Sequence, residues 1–263
     1  MQAFVSISLV YLGIYALSAW SLNLQYGYAG IINFGWIVFQ AIGAYVAGVV
    51  SLGASKSGSF QTYILGARLP FPLPLLAGTA AGAGLALVLG VLILTRRIRP
   101  DFQAIIMLVV AIIAAQVVTT ATGLFNGANG ISNVPQPFKS SLHLGYQGFQ
   151  WFYVGWMAVL CVIVYVGLEW LCRTSWGRAL RAVREDDVLA AYAGINVPAL
   201  RVVVFVLGGA IAGFSGALLV EFLGTWSPDA WSFVETFVVF VAVYVGGRGN
   251  NRGALIGAFL VPG

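Results

Sequence analysis

Runs of about 20 consecutive apolar residues recur along almost the whole chain, and they restrict its possible folds more than any other feature. A helix needs about 20 apolar residues to cross a bilayer, because each residue rises ~1.5 Å and the hydrocarbon is ~30 Å thick. The runs predict spanning helices at residues 3–22, 28–50, 73–95, 102–122, 151–171, 201–223 and 232–247. An eighth run begins at Gly253 and is too short to cross before Gly263. We therefore expect the natural chain to continue beyond this point, or its last segment to enter the membrane only partway.

The predicted fold class is all-α. We expect a polytopic helical membrane protein with at least seven or eight transmembrane helices, forming one transmembrane domain over residues 1–263. The composition agrees, because 60 % of the residues are hydrophobic and only 8 % are charged, far from the averages of soluble domains. The first run has neither a basic leader nor a small-residue cleavage site, so we expect it to be retained as a span rather than removed as a signal peptide.

The basic residues predict which loops face the cytoplasm. Alternating crossings place most of the thirteen Lys and Arg on one face: Arg96, Arg97, Arg99, Arg173, Arg178, Arg181, Arg184, Arg201, Arg248 and Arg252. Lys56, Arg68 and Lys139 fall on the other face. By the positive-inside rule the arginine-rich face is cytoplasmic. The same alternation puts the N-terminus outside, although the short segment Asn23–Gly27 carries no charge that tests it. The net charge of +5 then reflects topology, and we expect no nucleic-acid partner.

The segment Arg173–Arg201 is the one long polar stretch, with five arginines and three acids between two spanning runs. Ser175 is predicted to cap a first helix that ends near Arg184. Asp186 is predicted to cap a second, which Gly194 ends in the left-handed conformation. Two interpretations fit this loop, residues 172–200. A short helix docks on a cytoplasmic protein, or a solvated linker places its arginines near anionic headgroups.

Residues 27–45 predict a possible broken helix, because glycines and amide side chains interrupt an apolar run. Gly27, Gly30, Gly35 and Gly43 are the glycines, and Asn33 and Gln40 carry the amides. Broken helices in transporters expose backbone groups near the midplane, where substrates are held. Close packing of helices through small residues is the alternative.

Other polar residues within or near the apolar runs are weaker candidates. Glu235 either lines a pathway or is a buried structural partner, whereas Glu221 is expected at the headgroup boundary. Gln116 could meet a substrate, and Asn126 and Asn129 are expected to form turns.

The sequence argues against an enzyme. The Gly213–Gly216 segment matches a G-x-S-G nucleophile pattern, but the one histidine, His143, falls in an outer loop and cannot serve as its base. The sequence has no Walker A motif and no metal-ligand cluster, and no cofactor is implied. Cys161 and Cys172 are expected to be apolar fillers without a disulfide.

Several segments resemble the permeases of the branched-chain amino acid (Liv-type) ABC importers, in the order in which that family carries them. The resemblance is closest to the Liv-M-like subunit, although Trp36 stands where many relatives have histidine. The segments that carry it are GRALRAVREDDVLAAYAGINV, GYAGIINFGWIVFQAIGAY, RPDFQAIIMLVVAIIAAQVV, GLFNGANGISNVP and SPDAWSF followed by GGRGNNRGALIGA.

The resemblance implies a transmembrane permease domain that moves branched-chain or related apolar amino acids across the inner membrane, driven by ATP hydrolysis on ABC ATPase subunits. Loop 172–200 would be the coupling element, and a second homologous permease subunit would complete the pathway in the lipid bilayer. A periplasmic or extracellular substrate-binding protein would dock on the loops 51–72 and 123–150. The expected ATPase contacts are Arg184, Glu185, Asp187, Ala190 and Gly194, and the expected substrate path contains Asn33, Trp36, Gln40, Gln116 and Glu235.

Two alternative functions stay open. One is a permease of the same family for urea or short amides. The other is a membrane facilitator that works without an ATPase.

Overall fold

Helices account for most of the residues that the computed structural model describes, which are 2–54, 61–96, 98–139 and 145–261. The helices are α1 Gln2–Leu22, α2 Ile37–Ser51, α3 Leu73–Leu94, α4 Pro100–Thr120, α5 Thr122–Phe125, α6 Tyr146–Arg173, α7 Ser175–Glu185, α8 Asp187–Tyr192, α9 Val197–Leu223, α10 Phe233–Gly246 and α11 Asn251–Leu260. The strands β1 Ile131–Ser132 and β2 Thr225–Trp226 form the short antiparallel pair. The all-α class is confirmed.

Six of the described helical segments are long and apolar enough to cross a membrane, which is fewer than the seven or eight expected. Two apolar runs account for the difference. The run at 28–50 becomes helical only from Ile37, which leaves α2 with 15 residues. The last run forms α11, which has 10 residues. Both runs are apolar as predicted, but hydrophobicity alone does not show where a helix is interrupted.

The expected break in the second run is present and lies between α1 and α2. α1 continues into a π-helical turn, Asn23–Tyr28, and regular helix resumes at Ile37. Gly30 adopts a positive φ of 71°, which a residue with a side chain rarely adopts. The Asn33 side-chain oxygen accepts a hydrogen bond from the Gly35 amide at 3.1 Å. The hydrogen bond from the Gly35 amide is thus satisfied inside the protein, as non-helical backbone at membrane depth requires.

α9 is the central helix, and it packs against α1, α2 and α3. Glycines make the close contact possible. A Cβ added to Gly213 would lie 2.7 Å from the carbonyl oxygen of Gly78 on α3, and a Cβ on Gly216 would collide with the Gln40 carbonyl on α2. The G-x-S-G segment is therefore a packing surface, and Ser215 within it is fully buried.

The two ends of the bundle carry different structures. The first, which we call the polar-loop end, contains α7, α8, the π-helical turn and the α10–α11 connection, because Arg184 contacts Gly27 and Gly249 there. At the opposite end the loops after α2 and α4 meet, with Thr62 Oγ1 donating to the Thr122 carbonyl at 2.7 Å. β1 and β2 also lie at this opposite end. Lys56, Arg97 and His143, which entered the sequence-based arguments, are outside the described residues.

Candidate functional site

The polar loop folds as two short helices, α7 and α8, joined at Asp186. The Asp186 carboxylate accepts hydrogen bonds from the amides of Val188 and Leu189, both at 2.9 Å, so it caps α8 as predicted. Gly194 follows α8 with a φ of 87°, which is the left-handed ending that was expected.

Ser175 does not cap α7, contrary to the sequence-based expectation. Thr174 occupies the cap position, and Ser175 is the first helical residue. The Thr174 hydroxyl donates instead to the Leu171 carbonyl of α6 at 2.7 Å. α7 follows α6 so closely that Thr174 is both the C-cap residue of α6 and the N-cap residue of α7.

One side of α8 packs against its own chain, so the residues on the other side are exposed. Ala190 is buried in a small cluster with Val183 of α7 and Val197 of α9. Ala190 therefore does not lie on the accessible surface where it was expected. Glu185, Asp187 and Gly194 are exposed, although Asp187 also forms an ion pair with Arg201 at 3.2 Å.

The opposite side of α8 presents three large apolar side chains to solvent. Val188, Leu189 and Tyr192 are 59 %, 67 % and 87 % exposed. We call them the exposed face of α8. Grouped apolar side chains on an otherwise polar loop are typical of a protein contact site. Sequence reasoning missed this face, although the apolar residues at i, i+1 and i+4 were visible in it.

Arg184 connects the polar loop to the broken helix. Its Nη1 donates a hydrogen bond to the carbonyl of Gly27, in the π-helical turn that ends α1. The last carbonyls of a helix have no intrahelical partner, so this contact satisfies one of them. A Cβ on Gly30 or on Gly249 would lie 3.1 Å from Arg184 atoms, so both glycines leave room for the side chain. Arg184 thus lies between three segments rather than on the free surface.

A hydrogen-bonded group of side chains joins the same turn to the α10–α11 connection. The Asn23 side chain donates to Asn251 Oδ1 at 3.0 Å and accepts from the Gly249 amide at 2.9 Å. Trp20 Nε1 donates to the Asn251 carbonyl at 2.9 Å, and the Asn251 amide donates to Glu169 at 3.3 Å. These hydrogen bonds connect α1, the π-helical turn, α6 and α11 at the polar-loop end.

A cavity of about 210 Å³ lies among α1, α2, α9 and α10. We call it the central cavity. Its polar lining is mixed, with hydroxyl, amide, indole and carboxylate groups from Tyr11, Tyr15, Ser18, Trp36, Gln40 and Glu235. A partly enclosed site with apolar walls and a few converging polar groups is typical of small-molecule binding.

Three of the five residues expected on a substrate path line the central cavity: Trp36, Gln40 and Glu235. Asn33 is fully buried, but it donates to Gln25 at 2.8 Å and shapes the break instead. Gln116 lies on the exposed side of α4, away from the cavity and beside the exposed Ile112 and Ile113. The structure therefore separates these two from the site.

Hydrogen bonds hold the polar side chains around the cavity to α9. Trp36 Nε1 donates to Ser21 Oγ at 2.8 Å, and Ser21 in turn donates to the Gly208 carbonyl at 2.7 Å. Gln40 Nε2 donates to Ser215 Oγ at 3.2 Å. Both cysteines are free thiols, with Cys161 directed at the Gly13 carbonyl.

Comparisons with known proteins give a consistent result. The family model described as the permease component of the branched-chain amino acid transport system matches residues 4–262. A probable LivM permease of Methanocaldococcus jannaschii is 28 % identical over 96 % of this chain and 78 % of its own length. The LivM permease of Escherichia coli K12 is 28 % identical over 94 % of this chain, and the LivH permease of the same strain is 27 % identical over 94 %. No solved structure gives a significant match.

The relatives differ in length from this chain. It spans 60 % of the Escherichia coli LivM protein and 79 % of LivH.

Proposed function

The chain belongs to the branched-chain amino acid transport permease family, and from that premise we propose that it lines half of the pathway of an ATP-driven importer of apolar amino acids. It is a multi-pass inner-membrane protein and a transporter component, not an enzyme. The observation that carries the proposal is the polar loop, which presents an apolar contact face on one side and reaches the broken helix on the other.

The exposed face of α8 is the proposed docking site for an ABC ATPase subunit. Val188, Leu189 and Tyr192 are supported from behind by the buried Ala190, so the face is presented on a fixed helix. Exposed Glu185 and Asp187 flank it with negative charge. Apolar anchors with a charged rim are typical of protein interfaces.

Arg184 is the proposed route by which the ATPase moves the pathway. When the loop is displaced, the hydrogen bond from Arg184 pulls on the Gly27 carbonyl at the end of α1. The break between α1 and α2 is a natural hinge, because regular helical hydrogen bonds are missing there. Trp36, which follows the break, lines the central cavity, so bending at the break changes the shape of the cavity.

The proposed partners follow from the two ends of the bundle. ABC ATPase subunits bind at the polar-loop end, and a substrate-binding protein docks at the opposite end, on the loops 51–72 and 123–150, of which residues 55–60 and 140–144 lie outside the described residues. A second permease subunit closes the pathway. In Escherichia coli the LivM and LivH relatives are two different permeases, which supports a heterologous partner.

The substrate proposal is tested by ATP hydrolysis of the reconstituted complex. We expect leucine, isoleucine and valine to stimulate hydrolysis, whereas urea and short amides should not. Stimulation by urea or amides alone would replace the substrate and keep the ATP-driven mechanism. Uptake into proteoliposomes that does not require ATP would instead establish the facilitator.

Glu235 is expected to contribute to substrate affinity, because its carboxylate faces the central cavity and can pair with a substrate ammonium group. Glu235→Gln should raise the KM for uptake by about tenfold, the effect of losing one charge-assisted hydrogen bond. Uptake kinetics in membrane vesicles measure this. Asp229→Asn is the matched control, since Asp229 is exposed and does not line the cavity. An unchanged KM with a less stable protein would make Glu235 a structural residue.

A further inference from the structure

Glu221 is a buried acid near the end of α9 that the proposed mechanism does not use. It was expected at the headgroup boundary, and the structure shows that its side chain is only 2 % exposed. Its Oε2 has no hydrogen-bond partner among the described residues. Burying an unpaired carboxylate is costly, and such a group is usually retained because it has a ligand or a function.

Glu221 lines a cavity of about 520 Å³ at the opposite end of the bundle, which we call the end cavity. The end cavity shares no lining residue with the central cavity. Its walls are mixed, with polar groups from Asn133 and Gln136 beside the apolar side chains of Leu52, Phe71 and Phe138. A second charged side chain, Arg68, lines the same space.

Arg68 is held in place by its backbone. Its amide donates to the Leu52 carbonyl at 2.9 Å, and the next amide, of Leu69, donates to the Val50 carbonyl at 3.0 Å. The guanidinium group lies over Gly53, where a Cβ would collide with it. The loop is thus pinned to the end of α2 at the point where Arg68 faces the cavity.

Glu221 and Arg68 line one cavity without neutralising each other, since the ion pairs found among the described residues do not include them. The nearby cation Lys139 is already engaged, because its Nζ donates to Gln136 Oε1 at 2.6 Å. The end cavity therefore offers one carboxyl group and one guanidinium group, together with apolar side chains in the same lining. A ligand that carries both charges and an apolar group would complement it.

We propose that the end cavity binds the zwitterion of an apolar α-amino acid. The ammonium group pairs with Glu221, the carboxylate pairs with Arg68, and the side chain packs on Phe71 and Phe138. This inference rests on the proposed function and adds a second substrate site to it. The site lies at the end where the substrate enters the membrane domain, before the central cavity.

The test uses the full chain in lipid nanodiscs with Leu69→Cys as a local reporter. Leu69 lines the end cavity and is partly exposed. We expect leucine to protect this cysteine from a water-soluble maleimide, with labelling of the parent chain subtracted. Leucine methyl ester, which lacks the carboxylate, and 4-methylpentanoate, which lacks the ammonium group, should protect it poorly.

Two substitutions in this background separate binding from folding. Glu221→Gln and Arg68→Gln should each raise the half-protecting leucine concentration by ~10- to 100-fold, the effect of losing a charged hydrogen bond. Without leucine, the maleimide should label Leu69→Cys at the same rate in both variants as in the parent. A misfolded protein would not reproduce that rate. Asp229→Asn, which removes an exposed acid that does not line this cavity, should change neither value.

Three results would overturn the inference: no protection by leucine, unchanged protection in both variants, or equal protection by the methyl ester. The last result would describe a site for a cationic group, such as a lysine of a docked protein. None of them touches the proposed function, which fails if apolar amino acids do not stimulate ATP hydrolysis or if uptake does not require ATP. The two failures are therefore separate.

Discussion

Leu189→Glu combined with Tyr192→Glu should abolish ATP-driven uptake and remove ATPase subunits from the purified complex, while the permease still folds. The two side chains are 67 % and 87 % exposed, so the substitutions cost the isolated chain little. At an interface the same positions would bury two carboxylates in an apolar contact. Central apolar anchors are commonly worth ~2 kcal/mol or more each, so ATPase binding should weaken by ~100-fold or more. Co-purification and uptake in vesicles measure the two effects.

Leu189→Met combined with Tyr192→Phe is the matched control, because it keeps the apolar face at the same positions. This variant should retain both uptake and ATPase subunits. Gly194→Arg is a poorer test of docking, since the φ of 87° at Gly194 strains any other residue and disturbs the end of α8. If the double glutamate variant still imports substrate, the exposed face of α8 is not the docking site.

Arg184→Gln should separate ATP hydrolysis from transport. The exposed face of α8 remains intact in this variant, so the ATPase subunits should still bind. Glutamine is shorter than arginine, so the hydrogen bond to the Gly27 carbonyl is lost. Displacement of the loop then no longer bends the break after α1. We expect uptake to fall by at least about tenfold, with basal hydrolysis retained and its stimulation by substrate lost. Parallel assays of hydrolysis and uptake in proteoliposomes measure this.

Arg178→Gln is the control for Arg184→Gln, because Arg178 is exposed on the same helix. Its removal takes away the same charge and should leave coupling unchanged. Arg184→Lys should restore part of the uptake, since a lysine can donate one hydrogen bond to Gly27 but presents it differently. Loss of ATPase subunits from the Arg184→Gln complex would show instead that Arg184 holds the docking surface.

The sequence identified the membrane class and the broken helix for simple physical reasons. Hydrophobic length is a local property, and so is interruption by glycines and amides around Gly27 and Asn33. The exact restart at Ile37 was not visible, because residues on both sides of it are apolar. The cap at Asp186 and the ending at Gly194 were predicted correctly, since both depend on neighbouring backbone groups alone.

The features that the sequence did not show depend on tertiary packing. Ala190 and Leu189 are neighbours in a helical pattern, and only the contact with Val183 decides which of them is buried. Arg184 was predicted only as an ATPase contact, and its hydrogen bond to Gly27 was not visible because the two residues are 157 positions apart. Glu221 was placed by counting residues along a span, which does not reveal a cavity beside it. Gln116 carries the same amide as Gln40 but lies on the exposed side of its helix, away from the central cavity.

The polar side chains around the break after α1 form hydrogen bonds with a helix that is synthesised much later. Ser21, Gln25 and Gln40 donate hydrogen bonds to Gly208, Phe205 and Ser215, which follow them by 187, 180 and 175 residues. These partners all lie on α9, so the early polar side chains stay without them until α9 has been synthesised and inserted. During that interval the first two apolar segments carry amide groups that lipid does not satisfy. The nascent chain therefore needs a protected environment beside the insertion machinery, and a chain that stops before α9 lacks the groups that complete its first hairpin.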